Sequence, residues 1–158
     1  MSNATIAPVR RSVLVQAPAE RAFEVFTAGL ASWWPASHSI VEGGYGTVVV
    51  EPHEGGRLYE RGQTGAECVW GRVLAWEPPG HLTLSWHLDE EWRVDPDPAR
   101  ASEIEVTFAP EGDGTRVELE HRGFERRAGG AEIAELVAHE GGWGGLLASY
   151  AEVAHASS

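Results

Sequence analysis

Residues 128–154 read AGGAEIAELVAHEGGWGGLLASYAEVA. Ile133, Leu136, Val137, Trp143, Leu147 and Tyr150 recur along this stretch at helical spacing, with Glu132, Glu135 and Glu152 off the stripe, which predicts a long amphipathic helix. Gly141, Gly142, Gly144 and Gly145 surround Trp143 in its middle. Each glycine costs about 0.5–1 kcal/mol relative to alanine inside a helix, so the patch needs a reason. Either the helix breaks there, or the missing side chains admit backbone, an aromatic neighbour or a ligand.

Everything upstream of this helix, after a short helical region, reads as strands. Val9 to Gln16 alternates as a first strand, and Ala17-Pro18 opens a helix whose buried stripe is Ala22, Phe23, Phe26 and Leu30. Gly29 and Pro35 bracket a second short helical piece carrying Trp33 and Trp34. Six further strands are predicted over Thr47 to Glu51, Arg57 to Arg61, Glu67 to Trp76, Leu82 to His87, Glu103 to Phe108 and Arg116 to Arg122. In the last pair, Ile104, Val106 and Phe108 alternate with Glu103, Glu105 and Thr107, and Val117, Leu119 and His121 alternate with Arg116, Glu118 and Glu120. One face of that hairpin is therefore buried and one wet, with Glu111-Gly112-Asp113-Gly114 as the turn. Residues 88–101 are the least regular segment and read as a long exposed hairpin loop, in which Trp92 could cover a pocket mouth. The order strand, two helices, six strands, long helix argues an α+β fold with an antiparallel sheet.

Composition narrows the function. The 158 residues fit one domain, with a core over about residues 9–154. A formal net charge of −12, with no cluster of Arg and aromatics, repels polyanions and argues against nucleic acid and anionic membranes. No apolar run reaches the roughly 20 residues of a spanning helix, and no apolar segment follows Arg10 and Arg11, so a soluble, cytoplasmic protein is expected. Cys68 is the only cysteine and reads as an inert thiol in a strand. All twelve basic residues are Arg, which removes lysine Schiff-base chemistry. His53-Glu54 and His139-Glu140 are each followed by two glycines and make no zincin motif; neither a metal nor another cofactor is expected. Ser85 and Cys68 sit in no nucleophile elbow, and Gly43-Gly44-Tyr45-Gly46 precedes a strand and reads as a loop.

Several residues together resemble the START-like, or SRPBCC, helix-grip superfamily, and within it the homologues of the heat-shock-protein-90 ATPase activator. They are Ala17-Pro18 with Phe23 and Phe26, Trp33-Trp34-Pro35, Gly55-Gly56-Arg57, Gly71-Arg72-Val73 before Pro78-Pro79, Trp86, Thr115-Arg116-Val117, His121-Arg122-Gly123-Phe124, and Gly142-Trp143 with Leu147. The resemblance runs from about Val9 to Val153. It implies a seven-stranded antiparallel sheet gripping the C-terminal helix, with an apolar cavity between them. It does not imply one activity, since relatives include carriers, cyclases and co-chaperones. With the helix as the gripped element, the glycines read as room for close approach of the sheet or a ligand in preference to a simple break.

The pocket candidates follow from strand parity. Trp86 shares a face with Leu82 and Leu84, His121 shares one with Val117 and Leu119, and Trp143 should face them from the helix. His121 could act as acid or base near neutrality, although a hydrogen-bonded structural histidine is the preferred reading. Glu60 shares parity with Leu58, so a cavity-facing Leu58 brings a carboxylate inward; the competing register sends Tyr59 inward and leaves Glu60 in water. The expected site therefore comprises Trp34, Tyr59, Glu60, Trp70, Trp86, His121 and Trp143, with Glu60 and His121 as the acid–base candidates. Its first expected function is binding a small hydrophobic or aromatic molecule. The alternatives are a chaperone partner whose ATPase it stimulates, and a cyclase- or hydrolase-like enzyme. Either a monomer or a homodimer is compatible with the sequence.

Overall fold

Alternating apolar residues build one sheet in the computed structural model, which describes residues 6–34, 44–89, 93–95, 97–126 and 129–156. The strands are β1 (Val9–Val15), β2 (Tyr45–Val50), β3 (Arg57–Gly62), β4 (Glu67–Glu77), β5 (His81–Trp86), β6 (Ser102–Glu111) and β7 (Gly114–Arg122). All pairings are antiparallel, in the order β1-β7-β6-β5-β4-β3-β2. Ile104, Val106, Phe108, Val117, Leu119 and His121 are all buried, so the β6–β7 hairpin has the predicted register. A slip of one residue would turn that whole apolar set outward.

Helices α1 (Ala19–Phe26) and α2 (Leu30–Trp33) follow β1, and α3 (Gly130–Ala138) and α4 (Gly145–Ala156) close the chain against the sheet. Specific hydrogen bonds hold them there. Tyr150 Oη donates to the Ala22 carbonyl at 2.7 Å, joining α4 to α1, and Trp33 Nε1 donates to the Val25 carbonyl at 2.9 Å. Arg11 on β1 reaches the Ala138 carbonyl at 2.9 Å, satisfying one acceptor that the end of α3 leaves open. The α+β fold expected from the element order, and the seven-stranded helix-grip that the resemblance implies, are thus observed. Of the irregular segment, Leu88 bridges Val94 and Asp95 N–H bonds the His87 carbonyl at 2.8 Å, forming a hairpin base. Trp92 lies outside the described residues.

The glycine patch corrects one expectation. Helical backbone runs through it in two pieces, because Gly142 has φ −91° and ψ −136° and turns the chain between α3 and α4. A Cβ at Gly142 would overlap the carbonyl oxygen of Val137, so the space is filled by the helix's own preceding turn. Neither the sheet nor a ligand site accounts for it. At Gly144 the corresponding space is open. The break sets Trp143 at the junction, 4% exposed and turned into the core.

Candidate functional site

The inner face of the sheet and the helices enclose a small cavity. Val50, Leu58, Trp70, Leu82, Leu84 and Ile104 line it from the strands, and Phe26, Leu30, Trp33, Trp34 and Trp143 from the helical side. Its wall is wholly apolar and its volume is about 20 Å³, room for about one water molecule. Around it the interior is packed: Trp34 stacks on Trp70 with ring centroids 5.4 Å apart and an interplanar angle of 29°. Trp70 then meets Trp86 edge-on at 5.3 Å, and Trp86 meets Trp143 edge-on at 5.9 Å. Trp33, Trp70 and Trp143 are buried, whereas Trp34, just past the end of α2, is half-buried.

Strand irregularity decides which side chains reach this space. Between β3 and β4, Leu58 pairs with Gly71 and Tyr59 with Val69, so Trp70 is the extra residue of a bulge in β4 and turns to the inner face. Gly71 is required beside it, since a Cβ there would stand 2.5 Å from the Ser85 carbonyl oxygen. Within β3 the parity is regular: Leu58 lines the cavity and Glu60, 2% exposed, shares its face. That is the first of the two registers left open by the sequence.

Tyr59 is accordingly on the other face, which corrects its expected place in the cavity wall. It is buried by arginines: Arg57 lies 4.4 Å and Arg61 5.5 Å from its ring centroid, and Arg61 Nη2 donates to its Oη at 3.0 Å. Glu51 and Glu67 fix those arginines, at 3.0 Å to Arg57 and to Arg61 respectively. This is a cation–π ladder on the outer surface.

His121 and Trp86 form a second layer behind the cavity. Trp143 Nε1 donates to His121 Nδ1 at 3.0 Å, so Nδ1 is an acceptor and the ring proton is on Nε2, which is 2.7 Å from Ser102 Oγ. Burial pushes the imidazole down to about 3. Both nitrogens are engaged and the ring is neutral at pH 7, an arrangement that positions Trp143 and leaves no proton to exchange near neutrality.

Further along β3, beyond the cavity, the expected Glu60 is joined by a residue that the sequence reading did not place at the site, Tyr45. Glu60 stands opposite Val48 in β2 and Cys68 in β4. The Tyr45 side chain packs against the core, and its buried hydroxyl has no hydrogen-bond partner among the described residues. Burial, and then the charge of Glu60, raise the Tyr45 phenol; the same two causes in the same order raise the Cys68 thiol. Parity counted back from Val50 and Val48 points Tyr45 outward. The bulge between Tyr45 and Thr47 reverses it.

Of the seven expected site residues, Trp34, Trp70 and Trp143 therefore line the cavity, Trp86 and His121 back it, Glu60 lies outside its wall but on the same face of β3 as the lining Leu58, and Tyr59 is apart. Phe26, Leu30 and Trp33 belong to the wall although the sequence assigned them only to helix stripes.

Comparison with known proteins bears on this arrangement. The family model described as Activator of Hsp90 ATPase homolog 1-like protein matches residues 16–154. A solved structure described as the anthrahydroquino-γ-pyrone synthase Txn09 is 45% identical, covering 97% of this chain and 99% of that one with a TM-score of 0.66. CalC, a self-sacrificing resistance protein from Micromonospora echinospora, is 31% identical over 96% of each chain with a TM-score of 0.71. Protein MLL2253 from Mesorhizobium loti, at 19% identity and a TM-score of 0.69 over 96% of this chain and 99% of its own, shares the fold alone. No curated protein matches. The gripped helix, the seven-stranded sheet and these full-length similarities lead to one conclusion: the chain belongs to the Activator of Hsp90 ATPase homolog 1-like family of the START-like helix-grip superfamily.

Proposed function

We propose that this protein binds a planar, fused-ring aromatic molecule between the sheet and the C-terminal helices and promotes ring closure on it. The observation that carries the reading is the Trp34–Trp70 stack at the edge of an entirely apolar cavity. A flat slot already filled by one indole is shaped for another planar ring. The cavity of about 20 Å³ holds no such ligand as it stands. Trp34 is the half-buried member of the wall and follows a helix of only four residues, so the incoming ring takes its place on Trp70.

The 45% identity to a γ-pyrone synthase supports the chemistry. Closing a γ-pyrone from an o-hydroxyaryl 1,3-diketone joins the hydroxyl oxygen to a ketone carbon and expels one water, with the hydroxyl proton passed to a base. Glu60 is the buried carboxylate on the cavity face that can accept it. His121 holds Trp143 in place.

Titration with 2-hydroxyanthraquinone and with anthraquinone, read by tryptophan fluorescence, tests the binding. Saturable quenching is expected for both, weakened at least about tenfold in Trp70→Ala, since base–aromatic and ring–ring stacking of this kind is worth about 1–3 kcal/mol. Linear, unsaturable quenching would remove the reading. An anthraquinone carrying an o-hydroxyaryl 1,3-diketone chain tests the reaction: loss of one water, faster with protein and slowed in Glu60→Gln, is the expected result, and an equal rate without protein refutes ring closure.

A further inference from the structure

We infer that Tyr45 and Glu60 form a polar end to this cavity that selects aromatic ligands bearing a free ring hydroxyl. This rests on the reading that the ligand is a planar aromatic, and it adds the group that ligand must carry.

Geometry brings the two residues to the site from different strands. Glu60 is two residues along β3 from the cavity-lining Leu58, which places it about 6–7 Å further along the same face. Val48 separates it from the solvent edge, being its direct partner in β2 and itself 3% exposed. Tyr45 begins β2, and the bulge after it turns its ring onto the core, where its hydroxyl is shielded from solvent and bonds no described residue. A buried hydroxyl that pairs with none of the described residues recovers its lost hydration when a ligand atom pairs with it.

Chemistry then selects the ligand group. A carboxylate only accepts hydrogen bonds, whereas a phenol both donates and accepts. A ligand hydroxyl can donate to Glu60 and accept from Tyr45 at once. A quinone carbonyl would satisfy Tyr45 but bring its lone pairs toward the Glu60 charge, and a ligand carboxylate or phosphate would be repelled outright. Burial, with the Glu60 charge adding to it, raises the Tyr45 phenol, so its proton stays available for donation at pH 7. A neutral phenolic ring system is what remains. Discrimination of this kind is larger for a buried polar site than for an apolar wall, because the analogue lacking the hydroxyl leaves protein groups unpaired.

The test uses the full chain at pH 6 with 2-hydroxyanthraquinone and anthraquinone, comparing wild type, Tyr45→Phe and Glu60→Gln. Tyr45→Phe removes an oxygen that bonds nothing described, so the fold is expected to be kept. Wild type should prefer the hydroxylated probe at least about tenfold. Tyr45→Phe should weaken that probe about fivefold with anthraquinone affinity changed less than about twofold, and Glu60→Gln should weaken it about tenfold while anthraquinone, freed of the carboxylate charge, is not weakened. Equal binding of the two probes by wild type, or equal weakening of both by Tyr45→Phe, overturns the inference and leaves the aromatic site standing. Saturable binding of neither probe overturns both.

Discussion

Acid should unfold this protein through His121, and the size of the effect can be worked out. The imidazole is fully buried and its pKa is about 3, against 6.5 when exposed. A base whose folded pKa is depressed binds more protons unfolded than folded throughout that interval, so its contribution to stability is intact above pH 6.5 and is lost as pH falls toward 3. Between pH 7 and pH 4 the loss is about 3 kcal/mol at about 1.4 kcal/mol per unit. That is a large share of the roughly 5–15 kcal/mol that holds a domain folded.

His121→Leu isolates the term. At pH 7 the variant leaves Trp143 Nε1 and Ser102 Oγ without their partner, a cost of about 1–3 kcal/mol for each buried group. Toward pH 4 the wild type must protonate a buried imidazole and the variant has none. The stability gap between them, from urea unfolding at each pH, should narrow by about 3 kcal/mol over that interval. The titrations of the other groups occur in both proteins and cancel. A gap constant from pH 7 to pH 4 would refute the reasoning, and so would an NMR titration of the wild-type His121 ring with a midpoint near 6.5. The second measurement needs no variant.

Three further outcomes are expected. Gly142→Ala should destabilise by about 1–3 kcal/mol because its methyl meets the Val137 carbonyl, while Gly144→Ala, facing open space, should be neutral or stabilising by up to about 1 kcal/mol; thermal melts of the pair check this. Burial lowers the His81 pKa, but its hydrogen bonds to Glu105 at 2.7 Å and Glu77 at 2.6 Å outweigh burial and leave it raised. Its contribution is therefore full below pH 6.5 and fades as pH rises through the folded value, and Glu105→Gln should lower its NMR midpoint. Glu60→Gln should speed alkylation of Cys68 by iodoacetamide at pH 8, because removing that charge lets the thiol ionise more easily; an unchanged rate would place the carboxylate's charge elsewhere.

How much of this was legible in the chain depended on where the pleat is regular. The β6–β7 hairpin alternates without interruption, so burial at Ile104, Val106, Val117 and Leu119 could be read directly. Trp70 is expected at the site with no regular parity to place it there, and Tyr45 reads as part of a loop although it begins β2; each sits at a bulge, and a bulge leaves no mark in composition. The glycine patch was visible, but a helix break and a close approach demand the same residue, and only the backbone angles at Gly142 separate them.

Tyr59 and Glu60 show what burial alone leaves out. They are neighbours and nearly equally hidden, at 5% and 2% exposed, yet they face opposite ways. Tyr59 is covered by Arg57 and Arg61, its own i−2 and i+2 neighbours on the outer face, which Glu51 and Glu67 hold in place. Glu60 shares its face with Leu58 and stands between Val48 and Cys68 on the adjoining strands, so its burial needs the whole sheet to close. The place of this carboxylate beside a phenol whose hydroxyl bonds no described residue is the strongest reason to look for the ligand there.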